Sequence, residues 1–569
     1  MTSAASSTSS AFSALEYAAA TTRHLLPQRT DIRDMLRHRR RNIVAGLTVS
    51  IVALPLALAF GVASGLGAQA GLVTAIIAGT IAAFFGGSNV QVSGPTGAMT
   101  AVLLPIVHRY GTRAVLLVGV MAGVILVAMA AARLGRYVKF LPVSLIEGFT
   151  LGIAVVIALQ QMPNTLGVAD AGEERVWRTG WEAVQDFAAS NLASVTTWAA
   201  PAIAVGVAAA MLLGAKWRPR VPFSLIAVTA ATVVTYAAHL AIPTIGNLPT
   251  GLPTASAAFF DVSLMQTVLP AALAVAALAA LESLLSATVA DGMSVGERHD
   301  PDRELFGQGL ANIAVPFFGG VPATAAIART AVNARAGATS RLAAIVHAVA
   351  LLAVMLVAAP LVAHIPLAAL AGVLLATTLR MAERASVLAL MRSTRADGWI
   401  LALTFAVTVA LDLVTAVGVG LGVAVVLALR TVAKTARVEK VPLEVGDYSE
   451  EEHALLREHI VAYRLDGPLF FAAAHQFLIE LTNIVDVRVV ILRMSRVSTV
   501  DATGAKVLED AIGRLEARGI VVLLSGLDES HRNVLRALGV GAHLRTLGRV
   551  FADTPAAIAH ARELVAAPH

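Results

Sequence analysis

The chain has no cysteine, few aromatic residues and few charges. Among its 569 residues, aromatics make up 5% and charged side chains 14%, against about 25% charged in an ordinary soluble domain. Without cysteine there is no disulfide framework, no thiolate nucleophile and no cysteine metal site. The shortage of aromatics excludes a base-stacking surface, so the net charge of +6 does not point to nucleic acid. No nucleotide-binding loop, metal cluster or catalytic triad is legible, which argues against an enzyme and against a bound cofactor or metal.

What the chain has in excess is apolar surface: 57% of its residues are hydrophobic and its mean hydropathy is +0.75. The few charges are unevenly placed. Residues 441–569 hold 30 of the 80 charged residues, about twice the density of everything before them. Two solvents are implied, lipid first and water second.

Residues 1–42 start Ser/Thr/Ala-rich and end in Arg37, Arg39, Arg40 and Arg41, with no apolar core long enough for a cleavable signal, and read as a cytoplasmic lead-in. Apolar segments follow at roughly 43–65, 71–87, 94–108, 113–132, 138–162, 194–214, 222–242, 266–290, 304–319, 324–336, 341–364, 366–382, 397–411 and 412–430. These are fourteen candidate spans, and those starting near Gly94 and Thr324 are short for the ~20 residues that a full crossing needs. With the amino terminus inside, the clusters Arg133/Arg136/Lys139, Lys216/Arg218/Arg220, Arg335/Arg341, Arg380/Arg384/Arg392/Arg395 and Arg430/Lys434/Arg437 fall on inner loops. Arg109 and Arg113 are the outer exceptions. An even number of crossings returns the tail to the cytoplasm, so the expected location is the inner (plasma) membrane with both termini cytoplasmic.

An internal repeat is the strongest feature of the apolar region. Phe84-Phe85-Gly86-Gly87 recurs as Phe317-Phe318-Gly319-Gly320, and each copy leads into a small-residue segment ending in Thr-Ala-Val, at Thr100 and at Thr330. The copies lie seven spans apart, an odd number, so the halves are inverted in the membrane. Interrupted helices at matching places in inverted halves mark a transporter's binding site. Val90–Val92 and Val321–Ala323 suit extended backbone, after which Pro95 in a first helical turn and Thr324 as an N-cap would start two short helices. Their amino ends, with unpaired N–H groups and partial positive charge, suit an anion. Gly94, Gly97, Ala98, Ala326 and Ala328 let a small ligand approach the backbone, and Arg329 adds a full charge. For a single segment, close helix packing explains small residues equally well; the duplication favours a site.

Glu282 stands inside the apolar run 271–290, with Ser286 one turn later. A carboxylate in lipid is a functional hypothesis: proton carrier, cation ligand or partner of Arg329. The alternative is a fixed structural ion pair with Arg329. Glu147, Gln160 and Gln161 read as interhelical hydrogen bonds, and residues 291–304 as a solvated inner loop.

The runs Ala53-Leu54-Pro55-Leu56-Ala57-Leu58-Ala59-Phe60-Gly61, Gln91-Val92-Ser93-Gly94-Pro95-Thr96-Gly97, Glu282-Ser283-Leu284-Leu285-Ser286 and Phe318 through Thr330 together resemble the sulfate permease family, the bacterial branch of solute carrier family 26. The resemblance implies an all-α membrane domain of fourteen spans in two inverted repeats of seven, of the uracil-permease type, over residues 43–430. A core of spans 1–4 and 8–11 would carry the anion past a gate of spans 5–7 and 12–14 in an elevator-like movement. It places the substrate among Phe60 of span 1, Gly94, Thr96, Gly97 and Ala98 of span 3, and Ala326, Ile327, Ala328 and Arg329 of span 10, with Glu282 and Ser286 of span 8 as coupling residues. Leu56 and Ala328 stand where animal members commonly carry glutamine and serine, so two side-chain donors are missing. The sodium-coupled bicarbonate branch has aspartate and threonine where this chain has Glu282 and Ser286, which weakens a sodium site and favours proton coupling. A homodimer is also implied.

After a linker at 431–445, residues 446–569 read as a soluble α/β domain. Strands are expected at 461–465, 469–472, 487–492 and 520–524, and helices at 475–484, 502–517 and 530–537. This tail resembles the STAS domain that ends the family's chains and could meet a cytoplasmic protein partner; Ala502 stands where the anti-sigma antagonists carry a phosphorylated serine. The expected function is secondary transport of a small anion (sulfate, bicarbonate, chloride or a dicarboxylate). An anion channel, and a nucleobase–proton symporter of the same fold, are the alternatives.

Overall fold

The computed structural model describes residues 24–140, 142–169, 176–218, 221–293, 298–382, 384–410, 437–440, 459–469, 487–537, 539–540 and 542–566, with short pieces between 415 and 427. The chain divides into two compact units, Met1–Leu421 and Gly422–His569.

The first unit is helical. A short helix, α1 (Arg29–Arg37), is followed after one residue by α2 (Arg39–Ala63) and then α3 (Ala68–Phe85). An extended piece, β1 (Ser93–Gly94), precedes α4 (Gly97–Ala131). Next come α5 (Val143–Gln160), α6 (Val176–Ala189), α7 (Ala199–Trp217) and α8 (Phe223–Ala237). The second half opens with α9 (Val262–Met293) and α10 (Pro301–Ala314), followed by β2 (Thr324–Ala325) and the nine-residue α11 (Ile327–Arg335). Then come α12 (Leu342–Val357), α13 (Leu367–Met381), α14 (Arg384–Ser393) and α15 (Arg395–Ala410). Six described helices are long and apolar enough to cross a membrane. The fourteenth expected span, 412–430, lies largely outside the described residues.

Two differences from the sequence reading have local causes. The third and fourth spans are one continuous element, α4, broken only at Gly111, whose φ of 81° takes the left-handed region that glycine enters without a Cβ penalty. The short helices also start later than Pro95 and Thr324. Their N-cap positions are Thr96 and Ala326, and neither side chain caps its own helix. The reason is β1 and β2, which pair with each other antiparallel, Ser93 opposite Ala325 and Gly94 opposite Thr324. The two repeats therefore satisfy part of each other's interrupted backbone, and the helices leave this ribbon in opposite directions.

The second unit carries a five-stranded sheet in the order β3 (Arg437–Lys440), β4 (Ile460–Leu469), β5 (Val489–Val500), β6 (Val521–Ser525), β7 (Val550–Phe551). All neighbours are parallel except β3, an antiparallel edge strand within the stretch expected as linker. The helices α16 (Ala502–Glu516), α17 (Glu529–Ala537) and α18 (Thr554–Ala566) alternate with the strands. Asp501 caps α16 by accepting from Gly504 N at 2.7 Å. The expected strands at 461–465 and 469–472 begin as one ten-residue strand, β4; 470–472 and the helix expected at 475–484 lie outside the described residues. The edge strands β3 and β7 and the helix α18 were not anticipated.

Candidate functional site

Non-helical backbone at membrane depth needs partners from its surroundings, because lipid offers none. Around Val321–Ala323 these come from two side chains. Asn312 of α10 accepts from Ala323 N at 2.8 Å and donates to Ala323 O at 2.9 Å. Thr74 of α3 accepts from Val321 N at 2.7 Å, and its single hydroxyl proton is shared between Ala70 O at 2.7 Å and Val321 O at 3.0 Å. On the other copy, Asn333 donates to Val90 O at 2.7 Å, and Thr330 accepts from Val92 N at 3.1 Å. Gln308 reaches Ser93 Oγ at 2.6 Å and Glu304 Oε1 at 2.9 Å, while the other Glu304 oxygen accepts from Gly87 N at 2.9 Å. Glu304, Gln308 and Asn312 are four residues apart on one face of α10 and at most 2% exposed. They hold the ribbon from behind.

Residues 291–304 are thus no uniformly solvated loop. Arg303 is 6% exposed and Glu304 2%; the first binds Asp31 of α1 and the second the repeat's glycine turn.

In front of the ribbon the two amino ends meet two charged groups. Arg329, on the first turn of α11, is 1% exposed. Its Nη2 donates to Pro95 O at 2.7 Å, across the repeat boundary. Its Nη1 has no hydrogen-bond partner among the described residues. Gly94 makes room for it: a Cβ there would lie 2.6 Å from Arg329 Nη1 and 3.3 Å from the Ala75 Cα. Glu282, half-buried on α9, uses one oxygen, Oε2, to accept from Thr96 Oγ1 at 2.8 Å and Thr324 Oγ1 at 3.0 Å. Both threonine hydroxyls thus serve the carboxylate rather than a helix end. Arg329 turns its Nη2 to Pro95 O, and among the described residues no direct ion pair within 4.0 Å joins it to Glu282.

The other expected residues fall on both sides of this centre. Gly97 faces Ile157 and Phe60: a Cβ added there would lie 2.6 Å from Ile157 Cδ1 and 3.2 Å from Phe60 Cε1. Ile157, from α5, was not singled out in the sequence and has no signal there beyond being apolar. Gly94, Thr96, Gly97 and Ala98 are buried, Ala326 is half-buried, and Ile327 and Ala328 are exposed, Ile327 by 44%. Ser286, one turn beyond Glu282 on α9, is fully buried and donates to Thr330 Oγ1 at 3.1 Å, within the ribbon's support. Glu147 does make an interhelical hydrogen bond, accepting from Ser386 Oγ at 3.1 Å, but the buried Gln160 amide has no partner among the described residues. Arg329 Nη1 and the Glu282 carboxylate, beside the amino ends of α4 and α11, are thus groups among the described residues that can serve a polar ligand. Among the described residues there is no group of three or more His, Cys, Asp or Glu suited to a metal ion.

Fold and site define a membrane transporter with paired half-helices at an inverted-repeat boundary. Residues 40–404 match the sulfate permease family profile and residues 454–557 the STAS domain, and the chain belongs to that family of transporters, not to an enzyme family. YvdB of Bacillus subtilis, named as a candidate sulfate transporter, is 37% identical over 517 residues, covering 89% of this chain and 94% of YvdB. The bicarbonate transporter BicA of a Picosynechococcus strain is 31% identical over 503 residues, covering 84% and 86%. Among solved structures, the murine Slc26a9 anion transporter in its inward-facing state is similar with a TM-score of 0.82 at 19% identity, covering 96% of this chain and 95% of that one. The transmembrane domain of a cyanobacterial BicA gives 0.61 at 30% identity, covering 67% and 98%. The mostly helical transport domain followed by a STAS domain is thereby established.

Proposed function

We propose that the protein is a secondary carrier of a small oxyanion or carboxylate, bound between the amino ends of α4 and α11, with Glu282 carrying the coupled proton. One observation carries this reading: Arg329 is buried with Nη2 fixed to the Pro95 carbonyl and Nη1 unpartnered, and an unpartnered cationic nitrogen in a low-dielectric site needs an anion. Two helix amino ends add partial positive charge on the same side. Phe60, Gly97, Ala98, Ala326, Ile327 and Ala328 shape the pocket, and the missing side-chain donors at Leu56 and Ala328 leave the backbone amides and Arg329 to bind. The names of the relatives, which speak of sulfate and bicarbonate, support the same substrate class.

Spans 1–4 and 8–11 form the moving core and spans 5–7 and 12–14 the gate, with Ile157 as the gate residue lying against Gly97. The protein works as a homodimer in the inner membrane with both termini cytoplasmic, and its STAS domain offers a surface to a cytoplasmic partner. Uptake of labelled sulfate, bicarbonate and fumarate into proteoliposomes, with and without a pH gradient, tests the reading. Saturable flux of one of them, stimulated by an inward proton gradient, is expected. Absence of anion flux under every gradient overturns it. Unitary currents in a bilayer would establish a channel instead, and competition by uracil but not by anions a nucleobase carrier.

A further inference from the structure

The helix α1 has two unlike faces. One is turned inward: Asp31 meets Arg303 Nη2 at 2.6 Å and Arg341 Nε at 3.6 Å, both guanidinium groups being almost fully buried. Arg341 in turn donates to the carbonyls of Ala83 and Gly86, so this contact ties α1 to the ends of α3, α10 and α12. The opposite face carries Arg29, Ile32, Arg33, Leu36 and Arg37, spaced three and four residues apart and all exposed, Ile32 by 49% and Leu36 by 54%. Asp31 and Met35 lie off this stripe and are more buried.

The position of α1 relative to lipid follows from chain continuity. Only His38 separates it from α2, whose exposed apolar residues begin at Ile43, Val44 and Leu47. The chain turns at His38 (φ −127°, ψ 46°), and Ile43 lies four residues beyond Arg39, about 6 Å along α2. That rise places α1 at headgroup level, where two large apolar side chains flanked by arginines suit an interfacial helix. Arg39, Arg40 and Arg41 follow at once, and a cluster of this size beside a membrane span attracts an anionic leaflet.

We infer that α1 is an interfacial helix whose Arg29/Ile32/Arg33/Leu36/Arg37 face docks on the anionic leaflet, while Asp31 fastens its other face to the transport core. The occupant is the lipid surface: it is adjacent by connectivity, and it supplies apolar depth and negative charge in the order the face requires. Each arginine at such a surface adds about fivefold to the affinity. The inference does not depend on what the protein carries.

The cysteine-free chain makes the test direct. Full-length protein with Leu36→Cys, Ile32→Cys or, as a flanking control, Thr30→Cys is labelled with an environment-sensitive fluorophore and placed in phosphatidylcholine nanodiscs with or without phosphatidylglycerol. Lipids with a quencher near the headgroup should quench positions 32 and 36 several-fold more than position 30. Phosphatidylglycerol should strengthen this, and salt, or the combined Arg29→Gln, Arg33→Gln and Arg37→Gln variant, should remove the gain. Absent lipid quenching at 36 overturns the inference, whether the label is open to aqueous iodide or shielded from it by a second protein copy. Quenching that ignores both phosphatidylglycerol and the arginine substitutions overturns it as well.

Discussion

Thr96 and Thr324, one from each interrupted segment, donate to the same oxygen of Glu282, at 2.8 and 3.0 Å. One carboxylate on α9 thus fastens both interrupted segments, and any change in its charge is felt by both. Arg329 makes the complementary link from α11 to the Pro95 carbonyl.

Glu282→Gln keeps an amide oxygen that can accept from both threonines, so folding and anion binding should persist. Stimulation of uptake by an inward proton gradient should be lost. Proteoliposome flux with and without the gradient measures this, and unchanged proton coupling would leave Glu282 a structural role only.

Arg329→Ala removes a charge-assisted hydrogen bond to the anion, an interaction of about 1.5–3 kcal/mol. Anion affinity should fall roughly 10- to 100-fold. Arg329→Lys should recover little, because an ammonium cannot hold the Pro95 carbonyl and the ligand with the fixed fork of a guanidinium. Calorimetric titration of purified protein checks both variants.

Gly94→Ala would put a Cβ 2.6 Å from Arg329 Nη1, at a backbone φ of 155°. The guanidinium must swing away or the ribbon must shift. Substrate affinity should fall while the protein still reaches the membrane, measured by flux normalised to surface expression; wild-type affinity in this variant would remove Arg329 Nη1 from the site.

Asn312→Ala orphans both the N–H and the C=O of Ala323 at membrane depth. Each unsatisfied group costs about 1–3 kcal/mol, so a clear drop in Tm is expected from thermal unfolding in detergent. Thr74→Val should act in the same direction through Val321.

The latch at Asp31 is pH-dependent. Burial works against its charge, but the hydrogen bonds from Arg303 and the Gln28 amide, and the charge of Arg341, outweigh it and hold the carboxyl below its ordinary value of 3.8. A lowered value means that the stabilisation is complete above 3.8 and is lost as pH falls through the lower folded value. Protection of the residue 29–37 amides from hydrogen exchange should therefore persist through neutral and mildly acidic pH, whereas Asp31→Asn should lower it there and differ little from wild type below the folded value.

Much of this was legible because the membrane imposes strong rules on composition. Apolar runs and the duplicated Phe-Phe-Gly-Gly announce spans and paired halves, since lipid penalises charge and unpaired backbone wherever they occur. The same penalty made Glu282 and Arg329 stand out, and the period of two and of helical turns exposed the alternating tail. The stripe Glu304, Gln308, Asn312 at a four-residue spacing was equally open to reading but passed as loop and span, because its outer end carries ordinary mixed charges. What only the tertiary structure decided is the pairing. Ser93 lies opposite Ala325 across more than two hundred residues, the threonines serve Glu282 instead of capping helices, and Arg329 turns to Pro95 rather than to the carboxylate. Such choices follow from which donors and acceptors meet when two remote segments close on one another, and composition or periodicity within either segment carries no record of the other's position.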